Sequence, residues 1–140
     1  NLYDFLEMFC EVRRLPKGVF LLQDLKTDLF SLLKAGGGNH EHKLEKIRKV
    51  LWVFEHLPFI LIGDSGQRDA EIYSQIAKEF PGKIKAIYIR DVHRKRAKQV
   101  KKIADGLKEI DMLLIKTTAK AQEHARENGF ITALNPEMQK

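Results

Sequence analysis

Four short apolar runs constrain this chain more than any other feature. Val19–Leu22, Phe59–Ile62, Ile84–Ile89 and Met112–Ile115 are near-continuous in hydrophobic residues and of strand length, the pattern of strands buried on both faces of a sheet. The segments between them carry helical spacing. Leu44, Ile47, Val50, Leu51 and Phe54 share one face of a helix expected over 43–54. Further helices are expected over about 69–80, 94–108 and 119–128, the last closed by Gly129. Leu2, Phe5, Leu6 and Phe9 open the chain on an amphipathic helix. A short helical turn is expected over Leu29–Leu33, and a flexible loop over Gly36–Gly38 with Asn39 and His40. Strands alternating with helices predict an α/β domain with a mainly parallel sheet. Such sheets carry their chemistry just past the strand carboxyl ends, here 63–69, 90–94 and 116–118.

Composition narrows the function classes. The 140 residues hold 25 Lys and Arg against 19 Asp and Glu, a net charge of +6, which favours anionic partners. No apolar stretch approaches the roughly 18 residues of a membrane span. One cysteine, Cys10, excludes an intramolecular disulfide framework and is expected as a small core residue. The five histidines show no zinc spacing.

The loop Gly63-Asp64-Ser65-Gly66-Gln67 with Asp69 holds the most chemistry. Two carboxylates past a buried strand suit magnesium, which takes one or two carboxylates plus waters. The alternative is a turn aspartate, Asp64, and a helix N-cap, Asp69. Gly63-x-x-Gly66 is neither a Walker loop nor a dinucleotide fingerprint. Lys43, at the expected start of its helix, opposes the helix dipole. Arg94, Lys95, Arg96 and Lys98 form a basic run, either an anion-binding surface or a solvated helix face. No aromatic residues interleave with it, which argues against nucleic acid.

Phe59–Tyr73 (FILIGDSGQRDAEIY) and Ile84–Val92 (IKAIYIRDV), with Asn1–Leu6, Leu15–Gly18 and His42–Ile47 in the same order, resemble the catalytic domain of the actin-patch-type phosphatidate phosphatases. This is a lipin-related family of the haloacid-dehalogenase (HAD) superfamily, and the resemblance implies an α/β, HAD-like Rossmannoid three-layer sandwich with a mainly parallel sheet. The resemblance implies that Lys43 neutralises the nucleophile and the transferring phosphoryl group. It implies that Asp64 binds magnesium. Asp69 would bind magnesium directly or through water, or orient Lys43. Gly63, Ser65, Gly66 and Gln67 would shape the loop.

The family's nucleophile motif, Asp-x-Asp-x-Thr, is not found here. Gln23–Thr27 resembles it only superficially, with the wrong spacing and order. Residues 1–140 are therefore expected to be the C-terminal part of one HAD-like catalytic domain. The nucleophile strand and the Ser/Thr-motif strand would lie upstream, leaving strand 19–22 without its normal neighbour. A second departure lies at Ile115–Thr118, where the family tends to be acidic.

The expected activity is magnesium-dependent hydrolysis of a phosphomonoester, phosphatidate above all, through an aspartyl-phosphate formed upstream of this chain. The chain alone is expected to be inactive. The expected location is cytoplasmic, with peripheral contact to anionic membrane through Arg94, Lys95, Arg96 and Lys98. The competing expectation is a non-catalytic HAD-fold module using that basic helix to bind anionic lipid or nucleic acid.

Overall fold

The computed structural model describes residues 2–15, 18, 20 and 38–132. The expected strand over Val19–Leu22, the helical turn over Leu29–Leu33 and the look-alike segment Gln23–Thr27 lie outside the described residues, Phe20 apart.

The chain divides into two units, Asn1–His42 and Lys43–Lys140. In the first, helix α1 spans Leu2–Val12, as its spacing predicts. Its apolar residues Phe5, Met8 and Phe9 are exposed. Cys10 is half-buried and lines a cavity of about 450 Å3 with Tyr3, Met8 and Phe20, so it is not the core residue expected.

Helix α2 (Gly38–Val53) begins in the first unit and continues into the second. It starts earlier than the expected residue 43, with Glu41 in its first turn complementing the helix dipole. Lys43 is therefore one turn inside the helix, and the dipole argument made for it does not apply. His40, expected in a flexible loop, belongs to this helix, as does His42.

The second unit continues as β1 (Phe59–Asp64), α3 (Asp69–Glu79), β2 (Ile84–Arg90), a 3-10 turn (Arg94–Arg96), α4 (Ala97–Asp105), β3 (Asp111–Ile115) and α5 (Thr118–Glu127). The three strands are parallel in the order β1-β2-β3, as expected for an α/β chain. Asp64 pairs with Arg90, and Arg90 with Ile115, so all three strands end on one edge.

Both faces of the central strand are buried, which explains its unbroken apolar character. Ile87 and Ile89 point into the larger core with Leu44 and Leu51 of α2, Ile72 and Ile76 of α3 and Val100 of α4. Ala86 and Tyr88 point the other way, toward Ile115 and Ala125 of α5. On β1, Phe59 and Leu61 pack on the larger core. Ile60 and Ile62, on the opposite face, are exposed, Ile62 by 71%.

Helix α5 ends as Gly129 predicts. Gly129 adopts φ +68°, its N–H reaches the Arg126 carbonyl, and the Phe130 N–H reaches that of Ala125, a Schellman closure. The expected basic helix over 94–108 is shorter and broken. The 3-10 turn precedes α4, and Gly106 caps α4 three residues early, since glycine is costly inside a helix. His124 is structural: its Nδ1 lies 2.9 Å from the Tyr88 hydroxyl and its Nε2 3.2 Å from Asp111 Oδ2.

Candidate active site

The carboxyl end of β1 runs into a turn held by its own side chains. Asp64 Oδ1 accepts hydrogen bonds from the backbone N–H of Gly66 (2.7 Å) and Gln67 (3.2 Å). The turn-aspartate reading of Asp64 is thus realised, yet it uses one oxygen. The other makes no hydrogen bond among the described residues. Ser65 is buried, and its hydroxyl accepts from the N–H of Val92 (3.0 Å) and His93 (2.9 Å). That clamps the first loop against the segment leaving β2. Gly66 fits tightly, because an added Cβ would lie 3.0 Å from Asp64 Oδ1 and 3.3 Å from Val92.

Asp69 is not an N-cap. Arg68 holds that position without a side-chain bond, and Asp69 lies in the first turn of α3. Its side chain folds back over the end of β1. Oδ1 sits 2.5 Å from Lys43 Nζ, and Oδ2 accepts the Asp64 N–H at 3.0 Å. The Asp69 side chain is 4% exposed. An isolated carboxylate at that depth is unfavourable, and the lysine with the backbone N–H offsets the cost. Gly63 makes room for the arrangement: a Cβ there would lie 2.3 Å from Asp69 Oδ2 and 2.7 Å from its Cβ. Only glycine allows this approach.

Sequence reasoning missed Tyr73. It follows Asp69 by one helical turn, so the i, i+4 rule could have found it. Its hydroxyl donates to the Ile62 carbonyl (2.9 Å), and Lys43 Nζ lies 5.6 Å from its ring centroid, within cation–π range. Burial, reinforced by the charges of Asp69 and Asp64, pushes its hydroxyl pKa far up, so Tyr73 stays neutral. Lys43, Asp64 and Asp69, far apart in sequence or on different elements, thus meet around the end of β1.

The basic run does not form one surface. Arg94, Lys95 and Lys98 are exposed, while Arg96 is half-buried. The Arg96 guanidinium pairs with Glu71 and donates to the Gln67 carbonyl, which Gln99 supports by bonding the same Glu71 oxygen. Gln67 thus offers its backbone N–H to Asp64 and its carbonyl to Arg96. Arg96 braces the Asp64 turn and is committed within the protein.

For a metal, the available carboxylates are Asp64 and Asp69. No group of three or more potential ligand side chains occurs among the described residues. Asp69 has both oxygens engaged, whereas Asp64 retains one. A cation that takes one protein carboxylate and fills its shell with water or other oxygens fits that donor set. No helix among the described residues is long and apolar enough to cross a membrane.

The model of the phosphatidate phosphatase APP1 catalytic domain matches residues 1–91. The chain belongs to this family. The match contains Lys43 and the whole Gly63–Asp69 loop, and it ends at Asp91. Residues 92–140, with most of the basic residues described above, lie beyond it. A 75-residue stretch is 39% identical to phosphatidate phosphatase APP1 of Saccharomyces cerevisiae. That stretch covers 54% of this chain and 12% of the yeast protein. No solved structure matches the chain.

Proposed function

We propose that this chain supplies the lysine and the metal-binding acid of a magnesium-dependent phosphatase acting on a phosphomonoester, phosphatidate first among them. The observation that carries this reading is the Lys43–Asp69 pair beside Asp64 at the end of β1, in a chain of the phosphatidate phosphatase family. In this reading Asp69 is a positioning residue. Its committed oxygens hold the Lys43 ammonium at the strand end, where a fixed positive charge stabilises the charge of a transferring phosphoryl group. Asp64 offers its free oxygen to magnesium. When bound, the ion neutralises phosphoryl oxygens and acts as a Lewis acid. Ser65, Gly66 and Gln67 keep the Asp64 carboxylate in place.

The nucleophilic aspartate and its HAD-type strand belong, in the same proposal, to sequence outside these 140 residues. What supports that is the sequence: Asp-x-Asp-x-Thr occurs nowhere in these 140 residues.

The test is phosphate release by a protein that includes the segment upstream of Asn1, with phosphatidate and with a soluble phosphomonoester, with and without magnesium. Asp64→Asn is expected to reduce turnover by about 100-fold or more. Release that ignores magnesium, or an Asp64→Asn variant with full activity, would end the proposal.

A further inference from the structure

At the carboxyl ends of β2 and β3 lies a cavity of about 410 Å3. Asp91 lines it just past β2, Arg94 from the 3-10 turn, Lys101 from α4, Lys116 from the β3–α5 connection and Lys120 from the first turn of α5, with Leu114 as an apolar wall. We propose that this cavity binds a phosphomonoester dianion. The inference does not rest on the function proposed above, since Lys43, Asp64 and Asp69 are not part of the lining.

Four cationic side chains share this space with one carboxylate. Among the described residues, none of the four is in an ion pair or hydrogen-bonded through its side chain. Arg48 and Arg96 of the same unit are by contrast committed, Arg48 to Glu79 and Arg96 to Glu71. The cavity's cations come from two stretches of chain, 94–101 and 116–120, and the sheet brings the two together. Like charges gathered this way repel, and a bound polyanion relieves the repulsion. Asp91 does not neutralise the group, and its Oδ1 is buried without a hydrogen-bond partner.

The chemistry selects among anions. An arginine fork and several lysine ammoniums suit the three terminal oxygens and double charge of a phosphate ester. The volume falls in the range of small-molecule sites, roughly 300–1,000 Å3, and exceeds what a bare ion needs. Leu114 gives an organic body a surface to lie on.

Such a group can arrive on a soluble phosphomonoester or on a phosphatidate headgroup, so the experiment has two arms. In one, the full chain is titrated calorimetrically with glycerol 3-phosphate at low salt. In the other, it is floated with phosphatidylcholine vesicles with and without phosphatidate. Each arm compares Lys101→Met/Lys116→Met/Lys120→Met with Lys95→Met/Lys98→Met/Lys102→Met, which removes equal charge from lysines outside the lining. The first variant is expected to lose at least tenfold in affinity, and the second to stay within threefold. The arm that shows this difference identifies the source of the phosphate. Should the triple variant unfold by circular dichroism, Lys116→Met and Lys120→Met, both at exposed positions, are each expected to lose threefold or more. Equal losses in the two triple variants, or no saturable binding in either arm, would overturn the proposal.

Discussion

Two ion pairs join α2 to α3, alike in chemistry and different in surroundings. Lys43 meets Asp69 at 2.5 Å, with side chains 35% and 4% exposed. Arg48 meets Glu79 through two hydrogen bonds of 2.8 Å each, with side chains 33% and 32% exposed. The second pair has the better fork geometry, yet both partners keep their water, and such pairs contribute little. The first takes a carboxylate almost wholly out of water and gives each of its oxygens a separate partner. A buried pair of this kind is weak support for stability. Its value lies in holding an ammonium at a strand end, where the sheet puts its chemistry. The contrast separates a contact that fastens two helices from one that builds a site.

The sharpest way to break this contrast is to fill the space that the buried pair needs. Gly63→Ala puts a methyl 2.3 Å from Asp69 Oδ2 and 2.7 Å from Asp69 Cβ. Rotating the carboxylate away does not relieve the second contact, so α3 or β1 must shift. Urea denaturation is expected to show a loss of about 3 kcal/mol. A loss under 1 kcal/mol would mean that the pocket around Asp69 is softer than its packing implies. At Gly82 and Gly129 an added Cβ meets nothing. Those glycines serve their positive φ instead, so the two kinds of glycine are separable by experiment.

Removing the cation tests the pair itself. Lys43→Met keeps an unbranched side chain of similar length and deletes the charge, leaving the Asp69 carboxylate with the Asp64 N–H as its remaining hydrogen-bond partner among the described residues. Breaking a fully buried pair costs about 3–5 kcal/mol. With Lys43 one-third exposed, water softens the loss to about 2 kcal/mol. Arg48→Met, by contrast, is expected to cost under about 1 kcal/mol. Equal losses in the two variants, measured side by side in urea, would erase the distinction drawn here.

Much of this architecture is legible in sequence. The apolar runs 59–62, 84–89 and 112–115 are strands because each must satisfy a buried face; burial alternates along most of β1, while β2 is buried on both faces. The role of Gly129 is legible because a helix end calls for positive φ. Helix starts are less so. Glu41 and the spacing of Leu44 permit α2 to begin well before Lys43, and no proline or N-cap marks the boundary.

At the site, family resemblance gathers Lys43, Asp64 and Asp69, but no periodicity shows that Asp69 would turn back over Gly63. That depends on a close approach between a strand end and the next helix. The basic run is the clearest divergence. Arg96 looks like its neighbours in sequence, yet its guanidinium is spent on Glu71 and the Gln67 carbonyl. Lys116 and Lys120, outside the run, join Arg94 and Lys101 around one cavity. Only the parallel order of β2 and β3 brings those segments together.

The smallest effect belongs to the exposed pair, and pH isolates it. Hydrogen bonds from Arg48, then from Gln75, hold the Glu79 carboxyl down from its ordinary 4.5 to about 2. A carboxyl held low in the folded state favours folding wherever it is ionised in both states. Its contribution is therefore full above about pH 4.5 and is lost as pH falls from there toward 2. Glu79→Gln should lower stability by under about 1 kcal/mol at pH 7, given how much water both partners keep. Near pH 2 the variant and the parent should converge, provided both remain folded enough for a urea midpoint to be read. Added salt should narrow the gap at pH 7, because solvent reaches this pair. The Lys43→Met deficit should respond to salt less, because the Asp69 carboxylate, unlike that of Glu79, is almost wholly out of water. A salt response of equal size in both variants would place the two pairs in the same dielectric surroundings, against their difference in burial.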